Sequence, residues 1–294
     1  MHHFEYYDPG SLFEASALLA RYGGKASLLA GGTDLLVEIK EAIRRPDFVI
    51  DLKRIPDMSA LSFDAVSGLR FGALVTTREI ELSAAVRVHY PGLHQAVIEL
   101  GSIQVRNRAT VVGNICRASP SADTLPPLIA DGASVHLYSA TGERVVPIET
   151  FFTGPGKTLL RPDEIVTAVS APAPAANTGR AYIKHGRRKA MELATVGVAV
   201  SVTLDGKDGE VCRDVRIALG AVAPTPIRAA VAEGLLRGHV IDAACLALAA
   251  EAAMHVSTPI SNVRATADYR REMVGVLTHR AIRLALARIK DPLR

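Results

Sequence analysis

Residues 28–36 read LLAGGTDLL, two apolar residues running into a glycine pair, then Thr-Asp, then apolar residues again. Upstream, Leu12, Ala15, Leu18, Leu19 and Tyr22 form one apolar stripe that Gly23-Gly24 ends, so a helix precedes the stretch. Ser11 and Glu14 have the spacing of a capping box at its start. Downstream, Leu35, Ile39, Ala42 and Ile43 recur at helical spacing, and DFVIDL at 47–52 reads as a strand. The order is helix, strand, glycine turn, helix, strand. That is a βαβ unit with its glycines at the carboxyl end of the first strand. Such a junction leaves backbone N–H groups unpaired and pointing at one spot. Glycine admits positive φ and lets a ligand approach the backbone. The pair reads either as a plain turn or as a phosphate nest. In the nest reading Gly31→Val excludes the ligand, by bulk and by resisting positive φ. Asp34, awkward beside an anion, caps the helix or turns away.

The rest of the chain fills out an α+β protein. Strands are expected at 69–75, 134–139, 144–148 and 164–171. Helices are expected at 93–100 and 125–130, and a short one starting at 76–79, where Thr76 and Glu79 form a second capping box. Residues 102–123 lie between them as a long polar connection rich in small residues, the kind that carries function in compact domains. APAPAANT, 171–178, reads as a linker. Beyond it, 195–205 and 211–222 read as strands joined by GKDG, a hairpin turn, and 241–256 and the final segment as helices. The charge changes sign at the same place. Residues 1–176 hold 16 Lys and Arg against 19 Asp and Glu; residues 177–294 hold 18 against 11. Two domains follow, 1–176 and 177–294, the second suited to an acidic partner.

Composition removes several classes. The chain has 294 residues, enough for a substantial core. The longest apolar run, 193–204, is far short of the roughly 20 residues of a membrane span, and the N-terminus lacks a signal-peptide core, so a cytoplasmic location is expected. Cys116, Cys212 and Cys245 are far apart with no Cys-x-x-Cys, and His89 and His94 are separated by Pro91-Gly92; no metal site is expected. Aromatics are 5% with no Trp, against nucleic-acid binding.

Three further stretches carry candidate chemistry. Thr110, Val111, Val112, Gly113 and Asn114 form a second small-residue loop, and Asn114 offers donor and acceptor. Two such loops in one domain suit a cradle for an extended ligand with phosphates. Asp123 reads as a helix N-cap or as an acceptor for a ligand hydroxyl or ring N–H. In IKHGRRK, 183–189, Lys184 alternates with Tyr182 and either sits on a solvated edge or points inward at a cofactor.

LLAGGTDLL, GSIQVRNRATVVGNI (101–115), ASPSAD (118–123) and YIKHGRRKAMELATV (182–196), in this order and spacing, resemble the FAD-binding medium subunit of the molybdenum hydroxylases, the xanthine dehydrogenase and carbon monoxide dehydrogenase family. The resemblance covers nearly the whole chain. It implies a two-subdomain FAD-binding domain of PCMH type, vanillyl-alcohol-oxidase-like, followed by a small domain of antiparallel sheet plus helices. It implies that Leu28, Leu29, Ala30, Gly31, Gly32, Thr33, Asp34 and Leu35 wrap the FAD pyrophosphate from one side, and Thr110 to Asn114 from the other. Gly101 would lie against the cofactor, Asp123 would bond its ribityl or ring region, and Leu160, Val166 and Lys184 would line the flavin. The family's Thr-x-Gly-Gly-Asn reads Thr-Val-Val-Gly-Asn here, with Val112 in place of a glycine, and the cysteine-rich insert of the benzoyl-CoA-type members is absent. The implied activity is electron transfer. Iron–sulfur clusters (two-iron two-sulfur) on a small subunit, fed by a molybdopterin cofactor on a large subunit, would reduce FAD, which would pass electrons to an external acceptor. With no Cys or His in either loop, the FAD is expected to be noncovalent, and no residue here to be an acid–base catalyst. The rivals are a stand-alone FAD-dependent oxidase or dehydrogenase, which needs a general base that the motifs do not supply, and a cofactor-free scaffold.

Overall fold

The computed structural model describes residues 3–205 and 210–291. The glycine stretch lies where the sequence puts it. Strand β1 (Glu5–Tyr7) leads into helix α1 (Leu12–Tyr22), strand β2 (Ala26–Leu29), helix α2 (Leu35–Lys40) and strand β3 (Phe48–Asp51). Both outer strands pair parallel to β3, in the order β1-β3-β2, with Tyr7 and Leu28 each opposite Ile50. β1 was not anticipated, since three residues carry no measurable alternation. The first capping box is half formed: Ser11 Oγ accepts the Glu14 N–H, but the Glu14 carboxylate accepts from Gly10 instead of Ser11.

Next come β4 (Leu61–Asp64), β5 (Gly68–Gly72), α3 (Thr77–Leu82), α4 (Ala84–His89), α5 (Pro91–Ile98), α6 (Ile103–Arg106), α7 (Val111–Arg117), α8 (Leu125–Ala130), β6 (Ser134–Ser139), β7 (Gly142–Pro147), β8 (Phe152–Gly154), β9 (Lys157–Thr158) and β10 (Ile165–Ala171). Five of these strands form an antiparallel sheet in the order β4-β5-β10-β6-β7. The capping box at Thr76 is complete: Thr76 Oγ1 accepts from Glu79 N and the Glu79 carboxylate accepts from Thr76 N. The expected long connection over residues 102–123 is not a loop. It contains α6 and α7, N-capped by the hydroxyls of Ser102 and Thr110. Helices of four and seven residues are too short to show a 3.6-residue period. One core of buried apolar side chains, with Phe71, Ile115, Leu125, Leu128 and Phe151 among the largest, underlies the sheet and these helices.

The segment expected to be a linker is pinned. Tyr90, fully buried, donates its hydroxyl to Pro172 O at 2.8 Å and accepts the Leu69 N–H at 3.1 Å. The chain then enters β11 (Thr178–His185), β12 (Val196–Leu204), β13 (Cys212–Gly220) and β14 (Ile227–Arg228), an antiparallel sheet in that order. The expected GKDG turn lies outside the described residues. Helices α9 (Ala230–Leu236), α10 (Ala243–Val256) and α11 (Ala267–Lys290) follow, and a second core of Val198, Val200, Ile217, Val274 and Ile282 joins α11 to the sheet. The two parts meet closely: Tyr182, Ala199 and Ala218 belong to the first core.

Arg270 of α11 is 3% exposed and lacks a carboxylate partner among the described residues. Its guanidinium donates to the carbonyls of Thr195 and Ala221 and to Asn262 Oδ1 at 2.8 Å. Burial lowers its pKa, aided by Arg264. Asn262 is exposed, and its Oδ1 also accepts the Arg264 N–H. Asn262→Asp turns the bond from Arg270 into an ion pair and the bond from the Arg264 N–H into a charge-assisted one, without burying a new charge. It is expected to add about 1 kcal/mol, or about 2 °C in Tm, by thermal unfolding at neutral pH. An unchanged or lowered Tm would refute the account of Arg270.

Candidate functional site

The two glycines of the first stretch have separate tasks. Gly32 has φ +77° and makes the turn, its carbonyl accepting the Leu36 N–H at 3.1 Å. Gly31 is not in the left-handed region, so positive φ is not the reason for it. A Cβ on Gly31 would overlap the carbonyl oxygen of Arg108 and lie 3.0 Å from Ala109 Cα. Gly31 is where the first loop presses its backbone against the second. Among the described residues, the backbone N–H groups of Gly31, Gly32, Thr33 and Asp34 meet no turn or loop acceptor. Leu28 and Leu29 end β2; Leu29 and Leu35 pack with Ile39 and Val49 in a small core that anchors both ends of the turn, with Ala30 between them. Asp34 makes no side-chain cap. Its exposed carboxylate faces Arg117 at 3.9 Å, and the same guanidinium binds Glu38 at 2.8 Å. Arg117 ends α7, so this cluster ties α2 to α7.

In the second stretch Thr110 caps α7, accepting the Gly113 N–H at 2.9 Å, and Thr77 N donates to Ala109 O at 2.8 Å. Val111 and Val112 are buried in the first core. Val112, at the position where the family pattern has glycine, therefore turns its side chain inward and leaves the outer face to backbone. Asn114 Oδ1 accepts from Thr124 Oγ1 at 2.7 Å, which leaves its amide N–H groups without a protein acceptor among the described residues. Gly101, φ +53°, makes the turn between α5 and α6. Arg106 holds that turn by donating to Ile98 O and Leu100 O while pairing with Glu81 at 2.8 Å.

Asp123 is not a helix cap. It is 5% exposed, and Thr124 precedes α8 with no side-chain cap bond. Its Oδ1 accepts from the Tyr182 hydroxyl and its Oδ2 from Lys184 Nζ, each at 2.8 Å. Lys184 points inward. Its ammonium also donates to Glu99 O at 3.2 Å and Glu192 O at 2.7 Å, so all three protons have acceptors. Burial raises the Asp123 carboxyl to about 6, against the opposing pull of Lys184 and Tyr182. Arg187 and Arg188 of the basic run face the Glu192 carboxylate, at 3.9 and 3.2 Å. A polar cavity of about 410 Å³ opens here, lined by Glu99, Lys184, Arg187, Arg188, Lys189 and Glu192 among others. A second hollow of about 480 Å³, around Tyr6, Phe13 and Arg21, contains none of the candidate residues. Leu160, half-buried, follows β9, and Val166 is buried in β10 beside a register shift; both pack against the first core. Tyr182, Thr124, Arg117, Glu99 and Glu192 were missed by sequence reasoning. Only Tyr182 left a signal, its i, i+2 alternation with Lys184 along β11.

Two family models match the chain: the FAD binding domain in molybdopterin dehydrogenase over residues 2–174 and the CO dehydrogenase flavoprotein C-terminal domain over residues 181–285. The chain is 36% identical over 285 residues to the carbon monoxide dehydrogenase medium chain of Hydrogenophaga pseudoflava, covering 97% of this chain and 98% of that one. It is 32% identical to the xanthine dehydrogenase FAD-binding subunit of Escherichia coli O157:H7, over 96% of each. Its fold matches a carbon monoxide dehydrogenase from Hydrogenophaga pseudoflava that lacks the Mo-pyranopterin moiety of the molybdenum cofactor, with TM-score 0.92 and 37% identity over 97% of this chain and 98% of that one. It also matches the quinoline 2-oxidoreductase from Pseudomonas putida 86, with TM-score 0.88 and 30% identity over 99% of each. The chain therefore belongs to the FAD-binding medium subunits of the carbon monoxide dehydrogenase and xanthine dehydrogenase family of molybdenum hydroxylases.

Proposed function

We propose that this chain holds FAD noncovalently between the Gly31–Gly32 and Thr110–Asn114 stretches. It serves there as the electron-transfer subunit between iron–sulfur clusters on a small partner, supplied by a molybdopterin cofactor on a large partner, and an external acceptor. The observation that carries this reading is the backbone contact of Gly31 with Arg108 and Ala109. Among the described residues, it joins a first loop whose Gly31 to Asp34 amides meet no turn or loop acceptor to a second whose Val111 and Val112 amides are open while Thr110 takes those of Gly113 and Asn114, and a pyrophosphate needs such a set of donors. The amide donors of Asn114 add to it. When bound, FAD supplies the change between one-electron and two-electron transfer.

The chain's own residues bind and orient. Leu28 to Leu35 take one side of the pyrophosphate, and Thr110, Val111, Val112, Gly113 and Asn114 the other. The Gly101 turn, Asp123, Leu160, Val166 and Lys184 flank the ring system. The proposed domain boundary at 176/177 falls within this site, since β1–β10 lie before it and β11, with Tyr182 and Lys184, after it. Among the described residues no helix is long and apolar enough to cross a membrane.

The test is the purified full chain. It is expected to carry a flavin absorbance band with about one FAD per chain, released intact by heat or acid, and to co-purify with iron- and molybdenum-containing subunits when all are expressed together. A colourless chain that takes up no FAD would sink the cofactor reading. A chain that turns over an organic substrate alone, free of metal, would instead establish the stand-alone oxidase or dehydrogenase.

A further inference from the structure

Tyr182 is a phenol with nowhere else to go. It is 2% exposed, on β11, and it crosses to Asp123, 59 residues earlier in sequence. The strand opposite makes space for it: a Cβ on Gly197 would lie 2.8 Å from the Tyr182 hydroxyl and 3.2 Å from its ring. Gly197 is the register partner of Lys184, so one glycine opens the slot for the phenol beside the strand position that carries the lysine. The two side chains then divide the Asp123 carboxylate, one oxygen each, at 2.8 Å. Lys184 is in turn fixed by Glu99 O at the end of α5 and Glu192 O on the hairpin after β11. With three acceptors on three protons, the ammonium acts on its surroundings through its charge.

We propose that Tyr182 is a positioning residue of the flavin site: slotted over Gly197, its hydroxyl fixes the Asp123 carboxylate and, through it, the Lys184 ammonium. This rests on the FAD reading above. Among the described residues, the titratable groups facing Asp123 are Lys184 and the neutral Tyr182 phenol from β11 and Glu99, which caps α5; the Glu192 carboxylate is taken by Arg188. Lys184 and the Tyr182 hydroxyl favour the ionised carboxylate, while burial and Glu99 oppose it. The balance is close enough for the loss of one bond to matter. When Asp123 takes a proton, it ceases to be an anion for Lys184, and the ammonium loses its only ion-pair partner among the described residues.

The experiment is FAD binding by the full chain between pH 5 and 8.5, followed by flavin fluorescence. For the wild type, affinity is expected to fall on acidification with a midpoint near 6, the pH at which Asp123 titrates. Tyr182→Phe keeps the ring and removes the bond to the carboxylate. Its midpoint is expected to rise by about one pH unit, because a hydrogen bond to a charged group is worth at least that much. The ratio of dissociation constants, variant over wild type, is then expected to widen roughly fivefold from pH 8.5 to 6. Purely structural damage would weaken binding by the same factor at every pH. That parallel loss, an unshifted midpoint or a flat wild-type profile would each overturn the proposal. Should Tyr182→Phe not fold, Tyr182→3-fluorotyrosine, equal in shape and a stronger donor, decides the matter: the midpoint must move down. A wild type that binds no FAD at any pH defeats the cofactor reading itself, a different result from FAD bound with no effect of Tyr182.

Discussion

Gly31→Val is expected to leave the chain with less than about a tenth of its FAD. The cause lies in the backbone. A Cβ at position 31 would occupy the same space as the carbonyl oxygen of Arg108 and approach Ala109 Cα to 3.0 Å. Neither is the tip of a side chain that could rotate away. Ala109 is fixed by its carbonyl bond to Thr77 N, and Arg108 N is bonded to Val105 O. The two loops must therefore separate, and the amides they present together diverge. Overpacking a core costs about 1–3 kcal/mol, more where only backbone can yield. Gly31→Ala is expected to lose most of its flavin as well, because the first carbon is the one that collides. Gly32→Ala is a graded control. Its φ of +77° costs an alanine about 1–2 kcal/mol, and the nearest atoms are those of the flexible side chains of Leu36 and Leu29. Partial FAD retention is expected there. The ratio of flavin to protein absorbance, with a thermal melt for folding, measures all three. A full complement of FAD in Gly31→Val would show that the loops need not touch to bind it.

What was legible in the sequence was local. The βαβ opening rests on periodicities and turn residues within 35 residues, and the complete capping box at Thr76 on a contact three residues long. What was not legible was made by distance. The Asp123 partners lie 59 and 61 residues downstream, across the proposed domain boundary, so local sequence could not show that this residue, no helix cap, is the anion of a buried pair. Gly31 and Gly32 look alike in sequence, but one is glycine for its φ and the other for a neighbour 77 residues away, which no local rule contains. Asp34, out of place in a phosphate nest, is explained by Arg117, which only the folding of α7 brings near. Val112 departs from the family pattern and still fits, because helical geometry turns its side chain into the core. Helix α7 itself was hidden because its buried residues, Val111, Val112 and Ile115, look like parts of a small-residue loop when the first turn is capped by a lone threonine.

The second large effect concerns the joint between the two parts of the chain. Asp131, directly after α8, and Arg180 of β11 form a buried ion pair, with relative side-chain exposures of 3% and 8%. Arg180 also donates to His89 O at 3.3 Å and lies over the Tyr90 ring, 5.3 Å from its centroid. Asp131→Ala leaves that guanidinium buried with no anion. Removing one partner of a buried pair costs about 3–5 kcal/mol, because the remaining charge stays desolvated. For a chain of this size that is a fall in Tm of roughly 10 °C. The exposed pair of Arg54 and Asp8, 66% and 51% exposed, gives the contrast: Asp8→Ala is expected to cost less than about 1 kcal/mol. Asp131→Leu combined with Arg180→Met, which removes both charges, is expected to recover most of the loss. The consequence reaches the cofactor. Asp123 precedes α8 and Tyr182 follows Arg180 by two residues on β11, so the ion pair and the Asp123–Tyr182 contact of the proposed flavin site bridge the same two elements. Asp131→Ala is therefore expected to release FAD faster as well as to melt earlier, measured by stopped-flow recovery of flavin fluorescence on dilution. A variant that melts early but releases FAD at the wild-type rate would show that the joint and the site are independent.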